Sequence, residues 1–363
     1  MKNIKNTLFS HKEVEIGPNS GYDNYIMAIE SSCDETACAI VKNGREVIAN
    51  VVASQIKTHE QFGGVIPEIA AREHLESINV VIDEAFRQAK ESIGLEPKDI
   101  TAFAGTVGPG LVGCLLVGLN AAKTLALVYD KPFIGVNHLN AHLCANYIDT
   151  DLKPPFMALL VSGGHTQIID VESYSKQIIL GETIDDAVGE AYDKVARLIG
   201  LPYPGGPRLD KLAQEGNPKA FQLPEGKVEG YNFSFSGLKT AVLRLVKSFD
   251  GQEMPVNDIC ASFQERVSRT LAKKLKNAVE EKGYSQVVIA GGVAANSEIR
   301  KKIFDFQNDG YSVFAPPMKY CTDNAAMVAS CAYFNTNTFD DVDTEVFSRV
   351  KYFVKNCKIY TNK

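Results

Sequence analysis

The chain has 363 residues, of which 45% are hydrophobic and 23% charged, and a formal net charge of −6. At about 100–200 residues per domain this is room for about two domains, and the composition excludes a largely disordered chain. The acidity argues against a general nucleic-acid coat or a polybasic membrane binder, both of which are basic overall.

The first 24 residues are polar and read as a flexible extension, without the apolar core of a secretory signal. An apolar strand, Tyr25 to Glu30, leads into the polar loop Ser31-Ser-Cys-Asp-Glu-Thr36. A second strand covers Ala37 to Val41, the hairpin dipeptide Asn43-Gly44 follows, and Glu46 to Ala53 forms a third strand. Pro67 opens and Gly94 closes an amphipathic helix with apolar residues at Ile69, Leu75, Ile78, Val81, Ile82 and Phe86. Ile100 to Val107 is a strand, Leu111 to Val128 a nearly apolar and therefore buried helix, and Phe133 to Val136 a strand. The apolar run Leu111 to Leu119 is broken by Asn120 and Lys123, too short for a membrane span.

From Phe156 the pattern returns, about 130 residues after its first start. Phe156 to Val161 is a strand, Ser162-Gly-Gly-His165 a small polar loop, and Thr166 to Val171 and Gln177 to Leu180 are strands. Helices over Asp186 to Ile199 and Ser262 to Glu281, a strand over Gln286 to Ala290 and a helix over Asn296 to Phe306 complete the second half, with a polar Gly/Pro-punctuated loop over Asn217 to Tyr231. Two α/β lobes, each opening with a strand meander, define an α/β, actin-like fold: the duplicated two-lobe plan of the sugar kinase and Hsp70 ATPase superfamily (ASKHA), with a central cleft. The expected division is an extension over 1–24, a first lobe over 25–157, a second lobe with nucleotide-binding loops over 158–340, and a tail over 341–363. Eight cysteines with no CxxC pair read as reduced thiols of a soluble, cytoplasmic protein.

Gly108-Pro-Gly-Leu-Val-Gly113 fits the G-x-G-x-x-G pattern of a dinucleotide site, but the following strand ends in Asn137-His138 rather than in the acidic residue that would hold a ribose. A tight turn into a packed helix explains these glycines equally well. Neither a Walker pattern nor a G-x-S-x-G elbow is present. His138 and His142, four apart on one helix face, have metal-ligand spacing, yet Leu139 stands where a zincin has its glutamate. A third ligand is then needed. Asp323, at the start of a helix, is the best candidate, although N-capping alone would account for it. Two imidazoles and one carboxylate with open positions suit Zn²⁺ or Fe²⁺ acting as a Lewis acid.

The glycine loops Val161-Ser-Gly-Gly-His165, Tyr203-Pro-Gly-Gly-Pro207 and Ala290-Gly-Gly-Val-Ala-Ala-Asn296 allow close backbone approach to a nucleotide. Glu190 and Asp193 lie where a carboxylate could hold ribose hydroxyls, with surface ion pairs as the plainer reading. Asp34 and Glu35 are misplaced electrostatically in a phosphate-facing loop unless a cation or an amine sits there.

Glu30-Ser-Ser-Cys-Asp-Glu-Thr36, Val107-Gly-Pro-Gly110, His138-x-x-x-His142, Leu160-Val-Ser-Gly-Gly-His-Thr-Gln167, Ile184-Asp-Asp-Ala187, Gly189-Glu-Ala-Tyr-Asp-Lys194, Tyr203-Pro-Gly-Gly-Pro207, Phe233-Ser-Phe-Ser-Gly-Leu-Lys239, Gly291-Gly-Val-Ala-Ala-Asn296 and Cys321-Thr-Asp-Asn324 together resemble the TsaD family, in order, from about Tyr25 to Phe334. Ser31 replaces the usual threonine of the first motif and keeps its hydroxyl, and residues 1–24 have no counterpart in the family core. The resemblance implies transfer of a threonylcarbamoyl group from threonylcarbamoyl-AMP to N6 of the adenosine beside the anticodon in tRNAs reading ANN codons (t6A formation). It implies His138, His142 and Asp323 as ligands of one divalent metal ion, Fe²⁺ or Zn²⁺. It implies Leu160, Val161, Ser162, Gly163, Gly164, Asp193, Gly206, Asp210 and Asn296 as the binding residues for an ATP/AMP-type nucleotide that is part of the substrate, with Asp34 and Glu35 beside the reacting atoms. Its implied partners are tRNA, a TsaB-like paralogue in a heterodimer and a TsaE-like P-loop ATPase, with no membrane.

Three other readings compete: a metalloprotease of the O-sialoglycoprotein endopeptidase type, a sugar or acyl kinase of the same superfamily, and a non-enzymatic actin-like scaffold. A local basic face on two second-lobe helices (Lys239, Arg244 and Lys247; Arg266, Arg269, Lys273, Lys274 and Lys276) would reconcile the net acidity with an RNA substrate.

Overall fold

The computed structural model describes residues 14–335, 339–349, 353–354 and 357–361. The chain divides into two compact units. The first comprises 1–153, 174–176 and 322–359; the second comprises 154–173, 177–321 and 360–363. The sequence carries the second lobe through residue 340, whereas the segment from Thr322 packs with the first unit.

The first unit opens with β1 (Tyr25–Glu30), β2 (Glu35–Lys42) and β3 (Glu46–Ser54), followed by α1 (Ile56–Glu60), α2 (Pro67–Ile93), β4 (Ala102–Gly108), α3 (Val112–Val128), β5 (Phe133–Asn137) and α4 (His138–Cys144). The strand order is β3-β2-β1-β4-β5, antiparallel through β1 and parallel from β1 to β5. Strand β2 starts two residues earlier than the apolar run, so Glu35 is its first residue and pairs with Ser54. The helix predicted between Pro67 and Gly94 is α2, closed by Gly94 in the left-handed region at φ 70°. Central strands β1 and β4 are mostly apolar, with Glu30 and Thr106 as buried polar exceptions, and Met27, Ile29 and Phe103 lie in one core with Ile78, Val81 and Leu119.

The second unit repeats the plan with β6 (Phe156–Val161), β7 (Thr166–Ser173), β8 (Lys176–Glu182), α5 (Val188–Leu198), α6 (Gly205–Ala213), α7 (Ser236–Lys247), α8 (Val256–Lys282), β9 (Gln286–Ala290), α9 (Ser297–Phe304) and β10 (Ser312–Phe314). The order β8-β7-β6-β9-β10 matches that of the first sheet strand for strand. Helix α8 begins six residues before the predicted start and stops at Gly283, φ 67°. The last helix, α10 (Ala325–Asn335), is buried along its whole length and packs on β1, β2 and α4 of the first unit. The tail contains a short antiparallel pair, β11 (Phe353–Val354) with β12 (Cys357–Thr361).

Within the expected extension, residues 14–24 are tied down: Gly17 N–H donates to Asn24 Oδ1 at 3.1 Å, and Asn24 N–H to Asn43 Oδ1 at 2.8 Å. Residues 1–13 lie outside the described residues. Cys33, Cys38, Cys114, Cys144, Cys260, Cys321 and Cys331 are free thiols.

The G-x-G-x-x-G glycines have a packing cause. Gly108 sits at φ +140°, and a Cβ there would lie 2.2 Å from the Phe347 carbonyl oxygen; one on Gly110 would lie 2.6 Å from that of Ser32. Phe347 N–H donates to Val107 C=O at 2.9 Å, so the backbone at Phe347 lies over the end of β4. Gly108→Ala is expected to lower the unfolding free energy by about 2–4 kcal/mol, combining backbone strain with the displacement of Phe347. Urea melts measure it, and a change below about 0.5 kcal/mol would contradict this packing.

Candidate metal centre and nucleotide loops

Asn137 ends β5 and caps α4, its side-chain oxygen accepting from Leu139 N–H and Asn140 N–H. The cap fixes where the helix starts. It thereby puts His138 and His142 on one helical face, with ring centroids 4.7 Å apart. Asp323, just before α10, points its Oδ1 at both: 3.1 Å to His142 Nε2 and 3.7 Å to His138 Nε2. One ligand atom from each of the three residues lies within 4.8 Å of the others.

Behind His138 stands Glu30, the charged end of an otherwise apolar strand, which sequence patterning leaves without a role. Its Oε2 lies 3.1 Å from His138 Nδ1 and accepts from Thr106 Oγ1–H at 2.7 Å, while Oε1 accepts from Ser32 N–H at 2.6 Å. Burial acts to lower the His138 pKa, but Asp323 and Glu30 outweigh it and push it up to about 9. Burial likewise acts to raise Asp323, and the two histidines overcome it, holding its carboxyl down at about 2. His142 Nδ1 is buried without a hydrogen-bond partner among the described residues, so this ring has no orienting group behind it comparable to Glu30 behind His138. A convergent N, N, O donor set with a carboxylate behind one imidazole fits a divalent ion of the Zn²⁺ or Fe²⁺ type.

Glu35 is pushed up to about 10, by burial first and then by Asp323, Asp34 and Glu30. It holds its proton at neutral pH with this charge set, and a divalent cation beside Asp323 would relieve part of the repulsion. Asp34 C=O accepts from Gln55 N–H at 3.0 Å, which fixes the loop backbone beside it.

In the second unit the loop after β6 closes on itself: His165 N–H donates to Ser162 Oγ at 3.0 Å and Ser162 N–H to His165 C=O at 2.8 Å. Gly163 and Gly164 face open space, whereas a Cβ on Gly189 would lie 2.8 Å from Gly163 Cα, so α5 starts directly against this loop. Leu160 and Val161 are fully buried in β6. Their side chains are core, and only their backbone at the strand end is available to a ligand. Asp193 Oδ1 accepts from Gly205 N–H at 2.9 Å and Gly206 N–H at 3.2 Å, shaping the second glycine loop.

Asp210 and Asn296 are joined through Gln264, a buried polar residue on α8 that the motifs do not single out. Its Nε2–H donates to Asp210 Oδ1 at 2.9 Å and its Oε1 accepts from Asn296 Nδ2–H at 2.9 Å. Asn296 also caps α9 through Ile299 N–H. Glu190 is ion-paired with Lys194. Several of the basic residues on α7 and α8 are ion-paired: Lys239 with Asp186, Lys273 and Arg266 with Glu225, Arg269 with Glu265 and Lys276 with Asp309.

Two sheets that share a five-strand order, with polar loops after their first strands, define a protein of the actin-like ASKHA class. Solved structures agree at the level of fold. The crystal structure of T. kodakarensis HypF superposes with a TM-score of 0.60 at 16% identity over 88% of this chain and 48% of that one. Full-length HypF in its phosphate- and nucleotide-bound form gives 0.58 at 14%, over 86% and 46%. A sequence model of the family tRNA N6-adenosine threonylcarbamoyltransferase (TsaD) matches residues 46–330. The enzyme of that name from Microcystis aeruginosa is 51% identical over 90% of this chain and 96% of its own, and that from Bacillus subtilis 52% over 85% and 89%. The chain belongs to the TsaD family and is a transferase; the metalloprotease and kinase readings are not favoured. Among the described residues no helix is long and apolar enough to cross a membrane.

Proposed function

We propose that the chain transfers the threonylcarbamoyl group of threonylcarbamoyl-AMP to N6 of the adenosine beside the anticodon, in the cytoplasm, releasing AMP. The convergence of His138, His142 and Asp323, with Glu30 behind His138, carries this reading. A divalent ion held by those three residues would supply Lewis-acid polarisation of the acyl carbonyl. The exocyclic amine is a poor nucleophile because its lone pair is delocalised into the purine, so positioning matters as much as polarisation. The backbone of Leu160 to Gly164, the Gly206 turn held by Asp193, and the Asp210–Gln264–Asn296 network form the cradle for the AMP part. Asp34, or Glu35 once a divalent cation beside Asp323 has relieved the repulsion that keeps it protonated, takes the N6 proton as the N–C bond forms and the C–O bond to phosphate breaks.

The partners in this reading are tRNA, a TsaB-like paralogue and a TsaE-like ATPase. Exposed Val112, Leu116 and Leu127 on one face of α3 support a protein partner. The test is reconstitution with threonylcarbamoyl-AMP, unmodified tRNA and the two partner proteins, followed by tRNA digestion. Threonylcarbamoyl-adenosine is expected together with an equal amount of AMP. Its absence with every component present would refute the reading.

A further inference from the structure

His74 lies on α2, completely buried, and bridges both ends of the acidic loop. Its Nε2 is 3.0 Å from the Cys33 carbonyl oxygen and its Nδ1 is 2.7 Å from Thr36 Oγ1. A carbonyl only accepts, so Nε2 carries the proton and donates; Nδ1 is then left with its lone pair and accepts from the threonine hydroxyl. Cys33 and Thr36 are the residues that flank Asp34 and Glu35. Asp34, Asp323 and Glu30 all disfavour charge on Glu35, so the standing of these groups depends on a loop whose backbone is held on either side. The rigid ring does this with one donor and one acceptor at fixed separation, from a helix distant in sequence. Gln55 supplies the neighbouring hold: its N–H donates to Asp34 C=O, and its Oε1 lies 3.1 Å from His59 Nε2. Burial holds the His74 pKa below the ordinary histidine value, consistent with a neutral ring between two hydrogen bonds.

We infer that His74 is a positioning residue for the transfer reaction, a neutral clamp that sets where Asp34 and Glu35 stand. This rests on the role given to those carboxylates under Proposed function. Its test is a double-mutant cycle in single-turnover transfer, with His74→Gln combined with the pair Asp34→Asn/Glu35→Gln. His74→Gln alone is expected to slow transfer on the order of 10²-fold with the KM for tRNA changed little, as for a misplacement of reacting groups. In the background lacking both carboxylates the same substitution is expected to cost less than about twofold. An equal loss in both backgrounds would assign His74 a purely structural role and overturn the inference. Normal activity in the Asp34→Asn/Glu35→Gln protein would instead remove the proton-acceptor reading, which separates the two failures. Should His74→Gln not fold, ¹⁵N-histidine NMR of the parent decides. A neutral ring protonated at Nε2 from about pH 6 to 8 is required, and a titrating ring or the Nδ1–H tautomer excludes the clamp.

Discussion

Asp323→Ala is expected to reduce transfer by at least about 10²–10³-fold, the loss that follows removal of a group stabilising developing charge on the reacting carbonyl. Asp323 supplies the only carboxylate among the three convergent donors, and its Oδ1 is the point on which both Nε2 atoms converge. Without it two imidazoles remain, one of them still drawn toward Glu30, and two such ligands hold a divalent ion far more weakly than three. The fold should survive. Asp323 is only partly buried, Asn324 rather than Asp323 accepts from Met327 N–H at the start of α10, and α10 is held by its apolar surface. Metal analysis of the purified variant should therefore show little bound ion while the urea midpoint shifts slightly. Threonylcarbamoyl-AMP binding should persist, because Asp193, Asp210 and Asn296 are untouched. A variant with parental activity and parental metal content would remove Asp323 from the site.

The duplicated sheet is legible in the sequence because β1, β4, β6 and β9 are nearly uninterrupted apolar runs ending in polar or glycine loops, a local pattern needing no tertiary knowledge. His138 and His142 are legible from their four-residue spacing. Helix α10 is different: it is apolar on every side, so no periodicity tells which unit it covers, and it packs with the first. Glu30 and Gln264 escape notice for a common reason. Each is a buried polar residue whose meaning lies in partners far along the chain, Thr106 and His138 for one, Asp210 and Asn296 for the other. The pairing of the basic stripe on α8 is hidden from the sequence for the same reason. Glu225 and Asp309, which neutralise much of α8, sit in segments whose proximity no local pattern announces. Polar pairing is long-range information, and one-dimensional patterning conveys it poorly.

Glu30→Gln tests the group behind the metal ligands, and the expected outcome follows from donor counting. The carboxylate accepts from Ser32 N–H and Thr106 Oγ1–H and faces His138 Nδ1, three donors around an acceptor-only group. That arrangement keeps the proton on Nδ1, so that the Nε2 lone pair would be the one available to a metal ion. A glutamine has one accepting oxygen and an N–H₂ that must face one of those donors. If it faces Nδ1, the imidazole takes the other tautomer and carries its proton on Nε2, where the ligand lone pair is required. If it faces Ser32 N–H instead, two donors oppose each other in a fully buried site. Either outcome weakens metal binding by about 10–100-fold and slows transfer at limiting metal in proportion. Because the deficit lies in affinity, excess metal should restore much of the rate in Glu30→Gln and little in Asp323→Ala. Chelator-competition titrations on the two variants, run beside the transfer assay, read this directly. Equal affinity in Glu30→Gln and the parent would show that Glu30 does not orient His138.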